Sequence, residues 1–148
     1  MTDTDAVKRV IALYSQLMDQ GRFDEWGLLF AEDAEARSIG GTANAIDWTA
    51  KSRAEIVRIT AEVINPMIAK GGVVHLACNE VVDLHGDTAR AWWDVVVLTV
   101  HTTGTQSVRA GRYHSRFRRE NGQWVFTHRT LVQTGAAVPD DVDPSPGR

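Results

Sequence analysis

The sequence predicts an α+β fold. Two observations carry the prediction. Apolar residues recur at helical spacing up to about Met67, and from Val73 to Gln133 they run in long strand-like stretches punctuated by turn signals. Helices first, followed by a long antiparallel meander, is the pattern of a sheet with its helices gathered on one face.

The elements follow in order. Asp3 to Gln20 is a helix, because Val7, Val10, Ile11, Tyr14, Leu17 and Met18 form one apolar stripe. Thr4 or Asp5 is its N-cap and Gly21 its stop. A short second helix, Phe23 to Phe30, carries Trp26, Leu29 and Phe30. Glu35 to Ser38 is a short strand. Ile39 to Ala50 is rich in Gly, Thr, Ala and Asn and reads as a loop holding Trp48. A third helix runs from Arg53 to Met67, capped by Ser52, with Ile56, Ile59, Val63 and Met67 as its stripe. Pro66 and Gly71-Gly72 break it.

Strands make up the rest. Val73 to Leu84 is followed by the turn His85-Gly86-Asp87, and Thr88 to Val100 by the turn Thr102 to Thr105. Ser107 to Arg119 leads through Glu120-Asn-Gly-Gln123, a hairpin signal, into Trp124 to Gln133. The tail from Pro139, rich in proline and aspartate, is expected to be loose.

Composition narrows the function. At 148 residues the chain is expected to form one domain with a core and room for a ligand cavity. A net charge of -3 leaves no basic footprint for nucleic acid. No run approaches the length of a membrane span, and Met-Thr-Asp-Thr-Asp at the start has no apolar signal region, so a cytoplasmic location is expected. The single cysteine, Cys78, permits neither an internal disulfide nor a cysteine zinc site and reads as a small buried apolar residue. No His, Asp and Glu spacing makes a metal site, and no glycine-rich loop follows a strand, so neither metal nor organic cofactor is expected.

Strand alternation places the candidate site residues. Trp93, Val95, Val97 and Thr99 share one face; Trp92, Asp94, Val96 and Leu98 share the other. Gly111, Tyr113, Ser115 and Phe117 oppose Arg112, His114, Arg116 and Arg118, and Arg129 shares a face with Val125, Thr127, Leu131 and Gln133. His75 sits inside an apolar strand, where it is either a hydrogen-bonded core residue or a proton-exchanging group in a pocket. Asp19, at the end of the first helix, is the acid placed to pair with it. The second apolar face, with Trp92, Val96 and Leu98, predicts a homodimer or homotrimer packed sheet to sheet.

Several segments together resemble the SnoaL-like branch of the nuclear transport factor 2-like superfamily. They are Ile11-Ala-Leu-Tyr14, Met18-Asp-Gln-Gly-Arg-Phe-Asp-Glu-Trp26, Leu29-Phe-Ala-Glu-Asp-Ala34, His75 with Asn79, His85-Gly-Asp-Thr-Ala89, and Gly111-Arg-Tyr113 with Arg118-Arg-Glu-Asn-Gly-Gln-Trp124. The resemblance covers Asp5 to Gln133. It implies one domain over residues 1–148, with an ordered core at about 5–134 and a loose tail at 135–148. The implied shape is a cone, a curved mixed sheet wrapped around three N-terminal helices with an internal pocket.

Within the superfamily the chain looks most like the group of scytalone dehydratase and hexachlorocyclohexane dehydrochlorinase. Those enzymes pair a helix-end aspartate with a strand histidine, at positions matching Asp19 and His75. The dehydrochlorinase lines its pocket from positions matching Val73, Val95, Val97, Tyr113, Ser115, Arg129 and Leu131. Departures are Met18, where the dehydratase has a tyrosine, and Trp93, where it has a second histidine. The resemblance implies a cofactor-independent lyase, a dehydratase or other β-elimination enzyme, acting on a small hydrophobic cyclic or aromatic molecule. His75 would be the base and Asp19 its orienting partner. Arg129 and Tyr113 would stabilise a leaving group or oxyanion, and Trp48, Trp93, Val95, Val97 and Leu131 would form an apolar wall. The alternatives are an isomerase or cyclase using the same dyad, and a non-catalytic ligand-binding or assembly domain like the small subunit of ring-hydroxylating dioxygenases.

Overall fold

The first helix is capped by Thr2, two residues before the nearer cap the sequence suggested. Thr2 accepts the Asp5 backbone N–H, and the Asp5 carboxylate accepts the Thr2 N–H in return. This reciprocal pair satisfies two of the free N–H groups at a helix start. The structure, a computed structural model, describes residues 1–40 and 47–146. Its elements are α1 (Asp3–Asp19), α2 (Phe23–Gly27), β1 (Phe30–Ile39), β2 (Trp48–Ala50), α3 (Arg53–Lys70), β3 (Gly71–His85), β4 (Thr88–His101), β5 (Gln106–Glu120) and β6 (Gln123–Gln133). The helices precede most of the sheet, as the α+β reading required.

The sheet order is β2-β1-β6-β5-β4-β3. Every pair is antiparallel except β1 with β6, which is parallel. The sheet is therefore mixed, curved and unclosed. Apolar side chains of α1 and α3 lie against its inner face and form one core with Trp26, Phe30, Trp93, Phe117 and Phe126. Tyr14 stands in the middle, within 5.3 Å of the Trp26 ring, 5.6 Å of Tyr113 and 5.6 Å of Phe126.

Four boundaries differ from the sequence reading, each for a physical reason. Phe30 does not end α2; it opens β1, where it stacks on Phe126 at 5.0 Å. β1 is ten residues long because its partner is β6, a pairing across most of the chain that local periodicity cannot register. Trp48–Ala50 is a short edge strand on β1 rather than loop; residues 41–46 of the expected loop lie outside the described residues. Pro66 lies inside α3, which continues to Lys70. Proline there removes its own N–H bond and crowds the carbonyl four residues back, and with one turn left the packing of the helix outweighs that cost.

Besides the register shift in β1 between Phe30 and Glu35, two bulges reset the strand alternation. In β3 one extra residue falls between Cys78 and Val81, with Asn79 at φ 58°. In β6 the partner of Arg116 is His128 while that of Phe117 is Phe126, so Thr127 is extra. A single extra residue flips every side chain beyond it. Hence Phe126, fully buried, shares the inner face with Arg129, and Val125 and Thr127 do not extend that face as simple alternation implied. Cys78, expected buried, is exposed on the outer face beside the β3 bulge.

Part of the tail is held against the sheet. Arg116 holds the Asp143 carboxylate through two bonds of 2.7 and 3.0 Å. His114 Nδ1 donates to the Asp143 carbonyl at 2.7 Å, and Arg37 holds Asp141 at 2.8 Å. Val142 is buried. These contacts strap residues 141–143 across the outer face of the sheet. Composition predicted looseness because prolines and aspartates bury little apolar surface; the arginines on β5 and β1 supply the partners instead.

Candidate active site

α1 ends at Asp19 just where β3 passes beneath it. The two Asp19 oxygens take different bonds from one residue: Oδ2 accepts the His75 backbone N–H at 2.9 Å, and Oδ1 lies 2.6 Å from His75 Nδ1. A carboxylate accepts only, so Nδ1 carries the hydrogen, and in the neutral imidazole Nε2 then keeps its lone pair. The His75 side chain is 5% exposed and that of Asp19 is 19%. Backbone and ring are thus anchored to the same carboxylate, which fixes the imidazole in both tautomer and direction.

His75 lines a cavity of about 100 Å³ between the helices and the inner face of the sheet. Tyr14 and Met18 come from α1, Thr60, Val63, Ile64 and Met67 from α3, and Val95, Val97, Tyr113 and Leu131 from the strands. Trp48 of the edge strand stands at the wall, with Ser38, Arg109, Ala110, Arg129 and Gln133. No Asp or Glu is among the described residues of this lining.

Arg129 is 3% exposed, on the inner face of β6. Its guanidinium carbon lies 4.9 Å from the Trp48 ring centroid, 5.3 Å from that of Tyr113 and 5.7 Å from that of Tyr14. Nη1 donates to the Tyr14 hydroxyl at 2.8 Å and more weakly to that of Tyr113 at 3.5 Å. Tyr14 and Tyr113 are themselves 3.2 Å apart, oxygen to oxygen. Burial opposes the charge of Arg129 and the two phenol oxygens favour it; the net direction is upward, so the guanidinium remains a cation. Burial pushes the Tyr14 phenol well above its ordinary value, so it stays neutral. Tyr14 accepts from Arg129, and either phenol can donate to the other. When Tyr14 donates, the Tyr113 hydrogen is free for a group in the cavity.

Of the residues expected at the site, the structure brings His75, Arg129, Tyr113, Trp48, Val95, Val97 and Leu131 to this one cavity, with Asp19 directly behind His75. Val73, Trp93 and Ser115 are buried on the same face but outside the lining. Trp93 sits behind Tyr113, its ring stacked at 4.8 Å, and backs the site rather than walling it. Sequence reasoning missed Tyr14 and the α3 residues. A tyrosine in an otherwise aliphatic helix stripe, one turn before Met18, was the available signal for Tyr14. Nothing in the α3 stripe distinguishes cavity from core. Among the described residues no group of three His, Cys, Asp or Glu is placed to hold a metal, and no helix is long and apolar enough to cross a membrane.

The chain belongs to the SnoaL-like domain family, whose model matches residues 1–130. Solved structures of similar form agree with the fold. A nuclear transport factor 2-like protein with a cystatin-like fold from Novosphingobium aromaticivorans is 28% identical, over 91% of this chain and 84% of that one, with a TM-score of 0.75. A putative scytalone dehydratase from the same organism is 23% identical over 99% and 95%, TM-score 0.74. The β subunit of a putative aromatic-ring-hydroxylating dioxygenase, again from that organism, is 21% identical over 91% of each chain, TM-score 0.70. No curated protein matches the sequence.

Proposed function

We propose that this protein is a cofactor-independent lyase that removes a proton and a leaving group from a small hydrophobic cyclic or aromatic molecule. The observation that carries the reading is the 2.6 Å contact between Asp19 Oδ1 and His75 Nδ1 at the wall of a largely apolar cavity. His75 Nε2 takes a proton from a substrate carbon. The electron pair of that C–H bond forms the new double bond, and the leaving group departs from the adjacent carbon with its own pair. Asp19 stabilises the imidazolium that results, as an orienting carboxylate does in other histidine-base sites. The Tyr113 hydroxyl and Arg129 face the developing negative charge, where donors held in an apolar site act most strongly. Base catalysis of this kind contributes about 10²- to 10⁴-fold.

An isomerase using the same dyad would share the first step and omit the leaving group. The assembly-subunit alternative has one observation of its own. Val74, Leu76 and Val108 are exposed on the outer face, and the register places Leu98 between Val74 and Val108. Trp92, expected in that patch, is instead buried beside His114, which the tail covers. We assign the remaining apolar patch to a homodimer or homotrimer contact. The test is turnover: purified protein is screened against hydroaromatic alcohols and halides, both neutral and bearing a ring carboxylate, with product followed by absorbance and mass. Elimination product from wild type and none from His75→Ala supports the lyase. A rearranged product of unchanged mass supports the isomerase, and no turnover of any member favours the subunit reading.

A further inference from the structure

Arg129 is a buried cation with an unmet need. Its Nε and Nη2 have no hydrogen-bond partner among the described residues, and no carboxylate lies within 4.0 Å of it among them. Buried charges are ordinarily paired, because an ion taken out of water without a counter-charge is costly. The Tyr14 hydroxyl satisfies only the Nη1 side. What remains unpaired is the Nε/Nη2 edge, where two parallel N–H groups match the two oxygens of a carboxylate. Both atoms are closed off in this structure, and the rings of Trp48, Tyr113 and Tyr14 surround the guanidinium, so a carboxylate reaches the edge when those side chains shift.

The rest of the lining points the same way. Its ionisable side chains are Arg129, Arg109, His75 and the two tyrosines; the one acid against them, Asp19, stands behind His75 and is already engaged by it. Thr60 Oγ1, also in the lining, is buried without a partner among the described residues. The cavity of about 100 Å³ is of the scale of a single six-membered ring, since an engineered cavity of about 150 Å³ takes up benzene.

We propose that the substrate is a monocyclic carboxylic acid, and that its carboxylate seats on the Nε/Nη2 edge of Arg129. This rests on the cavity being the substrate site and goes beyond the lyase reading by adding a standing negative charge to the substrate. It assigns Arg129 to binding the ground state rather than only to the charge that develops in the reaction.

Calorimetric titration with benzoate and benzamide, which share size and shape and differ in charge, tests it directly in the wild-type protein. Benzoate is expected to bind about 10- to 100-fold more tightly, the range of a charge-assisted bidentate pair. Arg129→Met should abolish the preference. His75→Ala should keep it, because the carboxylate is not on the imidazole. Sodium chloride at equal concentration should not displace benzoate. Equal binding of the two wild-type ligands overturns the proposal, whatever the variants do. So does a preference lost in His75→Ala, which would put the anion on the imidazolium, or chloride displacing benzoate at matching concentration, which would make the site one for a halide. The two readings fail separately. Benzoate preference with full turnover in His75→Ala removes the dyad and keeps the carboxylate site; no preference with turnover abolished in His75→Ala does the reverse.

Discussion

Asp19→Asn exchanges one carboxylate oxygen for an N–H₂ group and should remove most of the activity. The aspartate accepts two hydrogen bonds from His75, one from the backbone N–H at 2.9 Å and one from the ring at 2.6 Å. An asparagine offers one acceptor and one donor. With its oxygen on the backbone N–H, its amide must donate to Nδ1, which moves the ring hydrogen to Nε2 and leaves no base in the cavity. With its oxygen on the ring, the amide N–H₂ faces the backbone N–H and one buried donor is orphaned, at about 1–3 kcal/mol. The competent tautomer is therefore reduced to roughly a tenth to a hundredth of the population. Loss of the carboxylate charge, which stabilised the imidazolium, lowers the rate further. Together these bring kcat/KM down by about 10²- to 10⁴-fold, or roughly 3–5 kcal/mol of barrier. His75→Ala should cost a similar amount, and the double variant little more, since the two residues act as a unit. The assay is steady-state turnover of an identified substrate beside near-ultraviolet circular dichroism. An Asp19→Asn protein with native dichroism and kcat/KM within threefold of wild type would refute the dyad.

Other expectations follow from the surrounding structure. Tyr14→Phe leaves Arg129 Nη1 with only the 3.5 Å contact to Tyr113, so calorimetry should record a loss of about 1–3 kcal/mol. Gly111→Ala would place a methyl group 2.7 Å from the Val132 carbonyl oxygen and 3.1 Å from Gln133 Cα. Those are backbone atoms of a paired strand, so urea unfolding should show a cost of about 1–3 kcal/mol. Leu76→Glu places a charge in the exposed outer patch; sedimentation should give an oligomer for wild type and a monomer for the variant. The tail strap should weaken in acid. Burial holds the His114 imidazole below its usual value, and the Arg116 bond holds the Asp143 carboxyl below its own. A histidine lowered in the seated state takes up a proton more readily when released, so seating loses stability as pH falls below about 6.5, and the aspartate adds a second loss below about 3.9. Val142 methyl shifts followed by NMR from pH 7.5 to 4 should move first in the upper range, and His114→Asn should remove that first step.

What the sequence disclosed depended on distance along the chain. The helix stripes of α1 and α3, the Asn121-Gly122 hairpin and the long strands were legible because each is a local pattern. Asp19 and His75 were legible through the family resemblance, since nothing in periodicity joins positions 56 residues apart. The full length of β1 was hidden because its partner is the last strand. The facing of Phe126 and Val125 was hidden by the Thr127 bulge, which leaves no compositional mark. The seating of residues 141–143 was hidden because its anchors, Arg37, His114 and Arg116, lie on other elements. Cys78 was misread because an apolar neighbourhood along the strand says nothing about which face is covered.

The parallel pairing of β1 with β6 has a consequence for biosynthesis. Arg37 and Thr130 are strand partners 93 residues apart. A ribosome adding about 5–20 residues per second makes the second roughly 5–20 s after the first. During that interval β1 is a nascent strand without its neighbour, and Tyr14 waits without Arg129. The cavity can close only after β6 has left the exit tunnel. Truncations that stop in β5 should therefore yield chains with an open edge and no binding site, prone to pairing with one another rather than to remaining soluble intermediates.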